Sequence, residues 1–195
     1  MPEPRLPECE PIGVRIAECA AEILELAALR AQTDTLAHIA AGRGAELPTL
    51  GRLSRGAHGL TLAVRPGRWL LVCPPAAPES LAQPWRTACA GCAAVVELAA
   101  ALTAFHVSGN AAREMLKRGC RLDLDPRVFP SGAAAATFIM QLPVIVAAFA
   151  MGVLLLTPSS TARHFREWLQ SAARPFGLAA PASVSVSRLS GESLI

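Results

Sequence analysis

From Phe138 to Thr157 the chain reads FIMQLPVIVAAFAMGVLLLT, with no charged residue. A stretch of about 20 apolar residues is long enough to cross a bilayer as a helix. Three features favour strands instead. Pro143 removes a backbone donor inside the run. Ile139, Val144, Ile145, Val146 and Val153 are branched at Cβ and fit a pleated sheet better than a helix. Met151–Gly152 falls where two strands of ordinary length would meet. The run therefore predicts two buried strands joined by a tight turn, and the chain must bury them on both faces.

The rest of the chain can supply that cover. It has 195 residues, 52% of them apolar and 17% charged, enough for one domain with a substantial core and too apolar for disorder. A net charge of +3, no tyrosine and no basic run argue against nucleic acid. The start, MPEPRLPECEP, is acidic and proline-rich and lacks the basic and apolar regions of a signal peptide. With it, the six scattered cysteines predict reduced thiols in the cytoplasm.

Read in order, residues 1–13 form a loose arm, 14–178 one α+β domain and 179–195 a flexible tail. Val14–Arg30 has two readings: a helix through Ile16, Ala20, Ile23, Leu24 and Ala27, or a strand ending at Leu26–Leu29. Thr33 or Asp34 caps a short helix that Gly42 stops. Gly44–Gly59 reads as loop. Leu60–Val64 and Trp69–Cys73 flank Arg65-Pro66-Gly67-Arg68, the residue order of a type II turn, and predict a hairpin. Glu79–Ala90 reads as helix around Pro84. Val95–Leu98 and Leu102–Val107 read as strand. Ser159 or Ser160 caps an amphipathic helix whose apolar face is Phe165, Trp168, Leu169 and Ala172, ended by Pro175 and Gly177. Helices alternating with antiparallel hairpins predict an α+β fold, a mixed or antiparallel sheet with helices packed on it.

Between Asn110 and Phe129 the pattern changes twice. Asn110 caps a short helix, Lys117 and Arg118 suit its negative end, and Gly119 supplies the left-handed residue that ends it. The period then becomes two. Cys120, Leu122 and Leu124 face one way, and Arg121, Asp123 and Asp125 the other. Pro126 keeps the chain extended, Val128 and Phe129 dock it, and Pro130-Ser131-Gly132 turns it away. Such a segment is either a well-anchored surface loop, with Arg127 paired to Asp123 or Asp125, or a subunit contact.

No catalytic constellation emerges elsewhere. Cys89 and Cys92 form a CxxC, which at a helix start would carry an acidified thiol. Zinc would need two further ligands at suitable spacing, so two small core thiols are the better reading. His38, His58, His106 and His164 are isolated, Glu97 has no partner carboxylate, and Trp69, Trp85 and Trp168 read as packing.

GCRLDLDPRVF at Gly119–Phe129, with GNAAREMLKR before it, resembles the signature of the gamma subunit family of heterotetrameric sarcosine oxidase. Trp69-Leu70-Leu71-Val72, Pro143-Val144-Ile145-Val146 and FREWL at Phe165–Leu169 are similar to its other landmarks. The likeness spans roughly residues 14–178 and is most specific over 109–129. It implies a fold like one lobe of the folate-binding aminomethyltransferase of glycine cleavage. It also implies a complex with alpha, beta and delta subunits that converts sarcosine to glycine and hydrogen peroxide. The one-carbon unit would pass to tetrahydrofolate or leave as formaldehyde. FAD, FMN, NAD, tetrahydrofolate and zinc would belong to the partner subunits, with no cofactor, metal or catalytic residue in this chain. Gly119, Cys120, Leu122, Asp123, Leu124, Asp125, Pro126, Arg127 and Phe129 would form the family signature at or near a subunit contact. The chain departs from the family pattern at Arg121, at Asp125, over Glu97–Ala100 and over Ala147–Ala150. Those departures leave room for a paralogous secondary-amine complex, such as N-methylglutamate dehydrogenase, or for a stand-alone folate-binding protein.

Overall fold

The computed structural model describes residues 13–75, 81–179 and Val186. The expected arm and tail lie outside the described residues, apart from Gly13, Ala179 and Val186. In chain order the elements are β1 (Arg15–Cys19), β2 (Glu22–Ala28), α1 (Thr33–Gly42), β3 (Leu53–Gly56), β4 (Gly59–Arg65), β5 (Arg68–Cys73), α2 (Ala82–Ala88), β6 (Ala93–Glu97), β7 (Leu102–Ser108), α3 (Ala112–Lys117), β8 (Ala134–Ile139), β9 (Leu142–Phe149), β10 (Gly152–Pro158) and α4 (Ala162–Ala173).

They form two five-stranded sheets, ordered β1-β7-β10-β9-β8 and β3-β4-β5-β2-β6, and every ladder is antiparallel. The two halves of the chain repeat one pattern: two strands, a helix, three strands, a helix. The first strand of each half crosses to the other half's sheet, so β1 pairs with β7 and β6 pairs with β2. This exchange ties the halves into one unit. A second tie closes a corner, where Leu53 donates to the Gly132 carbonyl and Ala134 to that of Gly51, each at 2.9 Å.

The layers are helix, sheet, sheet, helix. Met115 and Leu116 of α3, with Phe165 and Leu169 of α4, pack on Phe105, Val107, Val146 and Leu155. Between the sheets, Leu60, Leu62, Leu70 and Val72 meet Phe149, Leu154 and Leu156, and Val186 is buried among them. On the other outer face, Leu36 and Ala40 of α1 and Trp85 of α2 cover Leu24, Leu26 and Leu71. Full burial of one such large side chain contributes about 1.5–3 kcal/mol.

The α+β class, the β4–β5 hairpin and the strand positions of β6 and β7 match the sequence reading. Other elements differ. Val14–Arg30 is not a helix but β1 and β2; strands buried on both faces lose their alternation, which left a helical period available. Gly44–Gly59 contains β3. Phe138–Thr157 holds two turns rather than one: the end of β8, a two-residue turn at Met140–Gln141, β9, a turn at Ala150–Met151, and β10. Met140 and Gln141 both have positive φ, 50° and 63°, the conformation of a type I′ turn normally made by asparagine and glycine. Among the described residues no helix is long and apolar enough to cross a membrane. The predicted side-chain caps are absent. Gln32, Ala111 and Thr161 stand at the N-caps of α1, α3 and α4, and none makes a side-chain cap hydrogen bond.

Candidate functional site

The Gly119–Phe129 loop leaves α3 and runs along the edge of β8. Cys120 bridges to Ile139. Arg121 donates its amide to the Phe138 carbonyl at 3.1 Å, and Met140 donates to the Gly119 carbonyl at 3.0 Å. The loop thus covers part of a sheet edge that would otherwise be open to strand addition.

The expected alternation holds from Cys120 to Leu124, and Asp125, expected on the outward face, is half-buried. Cys120 and Leu122 are partly buried against the α3–α4 core and Leu124 is fully buried, while Arg121 and Asp123 are exposed. Phe129 docks in the same core, but Val128 does not, being 62% exposed. The loop is shaped by its own aspartates. Asp123 Oδ1 accepts from the Asp125 amide at 2.9 Å, and Asp125 Oδ1 accepts from the Arg127 amide at 2.9 Å. These side-chain-to-backbone turns are what aspartate provides in irregular chain. The Val128 and Phe129 amides both donate to the Asp125 carbonyl, at 2.9 and 2.8 Å, and Pro126 stands exposed at the tip between them.

Arg127 is 89% exposed at its side chain, and its fork donates to Asp125 with Nε–Oδ1 and Nη2–Oδ2 distances of 3.0 and 3.1 Å. The hydrogen bonds from the Arg127 side chain and backbone hold the Asp125 carboxyl well below the usual carboxylate range. The Arg127–Asp125 pairing is the surface-loop geometry foreseen in the sequence.

Two determinants of the loop were not foreseen. Arg113, on the partly buried side of α3, donates from one terminal nitrogen to the carbonyls of Leu124 at 2.8 Å and Phe129 at 2.7 Å. It clamps the loop from beneath, and burial lowers its pKa. No sequence spacing marks an arginine that bonds to backbone. Gly119 is not the left-handed helix end that was expected, since its φ is not positive. It is glycine because a Cβ there would stand 2.6 Å from Cζ2 of Trp168 and 3.3 Å from Cγ of Met140.

The other reactive side chains are placed apart from this loop. Cys89 follows the last turn of α2 and is buried with Cys92, whose thiol donates to the Cys89 carbonyl at 3.3 Å. Burial pushes the thiols of Cys19, Cys73 and Cys89 up to about 11, so they are protonated and poor nucleophiles at neutral pH. The acidified thiol of a helix start is therefore not present. His106, 4% exposed, lies between the sheets with neither ring nitrogen hydrogen-bonded, and burial lowers its pKa to about 4. Among the described residues no group of three histidine, cysteine or acidic side chains could hold a metal ion.

The loop is a hydrogen-bonded, charged edge with an apolar underside, and among the described residues no nucleophile or base is poised over a cavity beside it. A subunit of the heterotetrameric sarcosine oxidase from Corynebacterium sp. U-96, solved in complex with pyrrole 2-carboxylate, is 25% identical with a TM-score of 0.77, covering 89% of this chain and 90% of that one. The glycine cleavage system aminomethyltransferase T from Bartonella henselae shares the fold at 12% identity and a TM-score of 0.62, over 85% of this chain and 47% of that one. No curated protein matches the chain. The family model described as "Sarcosine oxidase, gamma subunit family" matches residues 30–174, and the chain belongs to that family.

Proposed function

We propose that the chain is the gamma-type subunit of a heterotetrameric, flavin-dependent sarcosine oxidase complex and performs no chemistry itself. One observation carries this reading: the likeness to the Corynebacterium structure runs nearly the full length of both chains. The aminomethyltransferase is matched over less than half its length, and its likeness is one of fold.

In this reading the alpha, beta and delta subunits are the partners. FAD, FMN, NAD, tetrahydrofolate and zinc reside in them, and the complex works in the cytoplasm. The gamma chain holds alpha and beta in register. Asp123, Asp125 and Arg127 offer the partners an ion-paired edge, pre-ordered by the Arg113 clamp, so little entropy is lost on docking. The buried, protonated thiols and the neutral His106 support a structural role. Co-expression of the four chains tests it. The complex is expected to carry this chain at one copy and to oxidise sarcosine, while the chain alone shows no turnover and binds no reduced folate in titration calorimetry. Turnover or folate binding by the isolated chain would overturn it.

A further inference from the structure

At the start of the signature loop is a patch of apolar and basic side chains that includes Arg121. Phe138 and Met140 are large, apolar and 46% and 43% exposed. Each is flanked by the chain segment around Gly119. The Arg121 guanidinium carbon lies 5.6 Å from the Phe138 ring centre, and that of Arg118 lies 5.6 Å from the Phe176 ring centre. Trp168, stacked on Phe165 at 6.0 Å, and Met140 both lie against Gly119. Neither Arg118 nor Arg121 has a carboxylate within salt-bridge distance among the described residues.

We infer that this patch is a second docking surface, for an apolar side chain set among carboxylates on a companion subunit. The inference rests on the subunit reading above and specifies a partner surface for it. An exposed phenylalanine and methionine beside half-buried Trp168 and Phe176, with arginines over two of the rings, are the composition of interface hot spots rather than of ordinary surface. The arginines are held in place before binding, so their charge is available at small entropic cost. Charge also decides the occupant. A second copy of this chain meeting the patch about a two-fold axis would set Arg118 and Arg121 against themselves, and like charges across a contact disfavour it. A carboxylate-bearing surface satisfies both arginines and covers Phe138 and Met140 together.

The test is co-expression of the four chains with wild-type, Arg118→Glu/Arg121→Glu or Phe138→Asp gamma chain, followed by size-exclusion chromatography. Arg30→Glu serves as a charge control elsewhere, and thermal melts of each isolated variant confirm folding. The double reversal and Phe138→Asp are each expected to lower co-eluting gamma chain at least tenfold with melts unchanged, while Arg30→Glu assembles normally. Wild-type assembly by folded patch variants would overturn the inference and leave the subunit reading standing. Failure of the wild-type chain to co-elute would overturn both. A dimer of the isolated chain that the double reversal dissociates would overturn the heterologous partner.

Discussion

Trp168 of α4 closes over Gly119 at the end of α3 so tightly that a Cβ on the glycine would stand 2.6 Å from the indole. The two helices and the start of the signature loop are therefore positioned by one contact, which any side chain would break. Trp168 is also stacked on the buried Phe165 and cannot swing freely. Gly119→Ala is expected to destabilise the chain by about 1–3 kcal/mol, the usual range for overpacking. Urea denaturation at constant m-value checks this, and an unchanged midpoint would mean that the indole moves aside.

Arg113 and Arg127 should behave oppositely. Arg113→Met removes two charge-assisted bonds to backbone carbonyls beside the buried Leu124 and Phe129, each of a kind that contributes about 1.5–3 kcal/mol. A lower denaturation midpoint and faster hydrogen exchange at the Val128 and Phe129 amides are expected. Arg127→Ala leaves the midpoint unchanged, because its pair with Asp125 is exposed and worth little to folding. Its effect should be on co-purification with the alpha and beta subunits.

His106 sets a pH dependence. Its pKa is about 4 in the folded chain and about 6.5 when unfolded. The unfolded state therefore takes up the proton first, so stability falls as pH drops from about 6.5 towards 4, by roughly 3 kcal/mol in total. Asp125 acts at lower pH. Its carboxyl is held below its unfolded value, so its contribution is present above about 4 and is lost on further acidification. His106→Leu should remove the first step and raise stability at pH 5 relative to wild type. The neighbouring Gly152, whose Cβ would stand 2.6 Å from Nε2 of His106, leaves no room for a larger replacement. Denaturation midpoints of both proteins at pH 7.5 and 5 give the comparison; equal slopes would contradict it.

The buried thiols should be inert. Cys19, Cys73 and Cys89 have their pKa raised to about 11 by burial. Labelling with a thiol reagent, followed by peptide mass spectrometry, should modify them at least about 100-fold more slowly in the native chain than in urea. Replacement of Cys89 and Cys92 by alanine should leave sarcosine oxidation by the complex unaltered, and a lost activity would reopen a redox role for the pair.

What could be read in the sequence follows physical lines. Pro66–Gly67 announces its turn chemically, so the β4–β5 hairpin was legible. Met140–Gln141 does not. Its left-handed backbone is imposed by tertiary structure, Met140 donating to the Gly119 carbonyl, and one turn of the apolar run was missed. The β1–β2 segment is buried on both faces, and a period of two disappears under such burial. In the signature loop, the alternation from Cys120 to Leu124 and the Arg127–Asp125 pair were visible because they are local. The Arg113 clamp and the Trp168 contact were not, because they join residues separated in sequence through backbone atoms or the absence of a Cβ.

Native mass spectrometry of the four co-expressed chains, with sarcosine oxidation measured on the complex and on this chain alone, tests the account most directly. The account predicts an assembly with one copy of this chain, activity in the assembly and none in the isolated chain. An active assembly that excludes this chain, or oxidation by the chain alone, would contradict it.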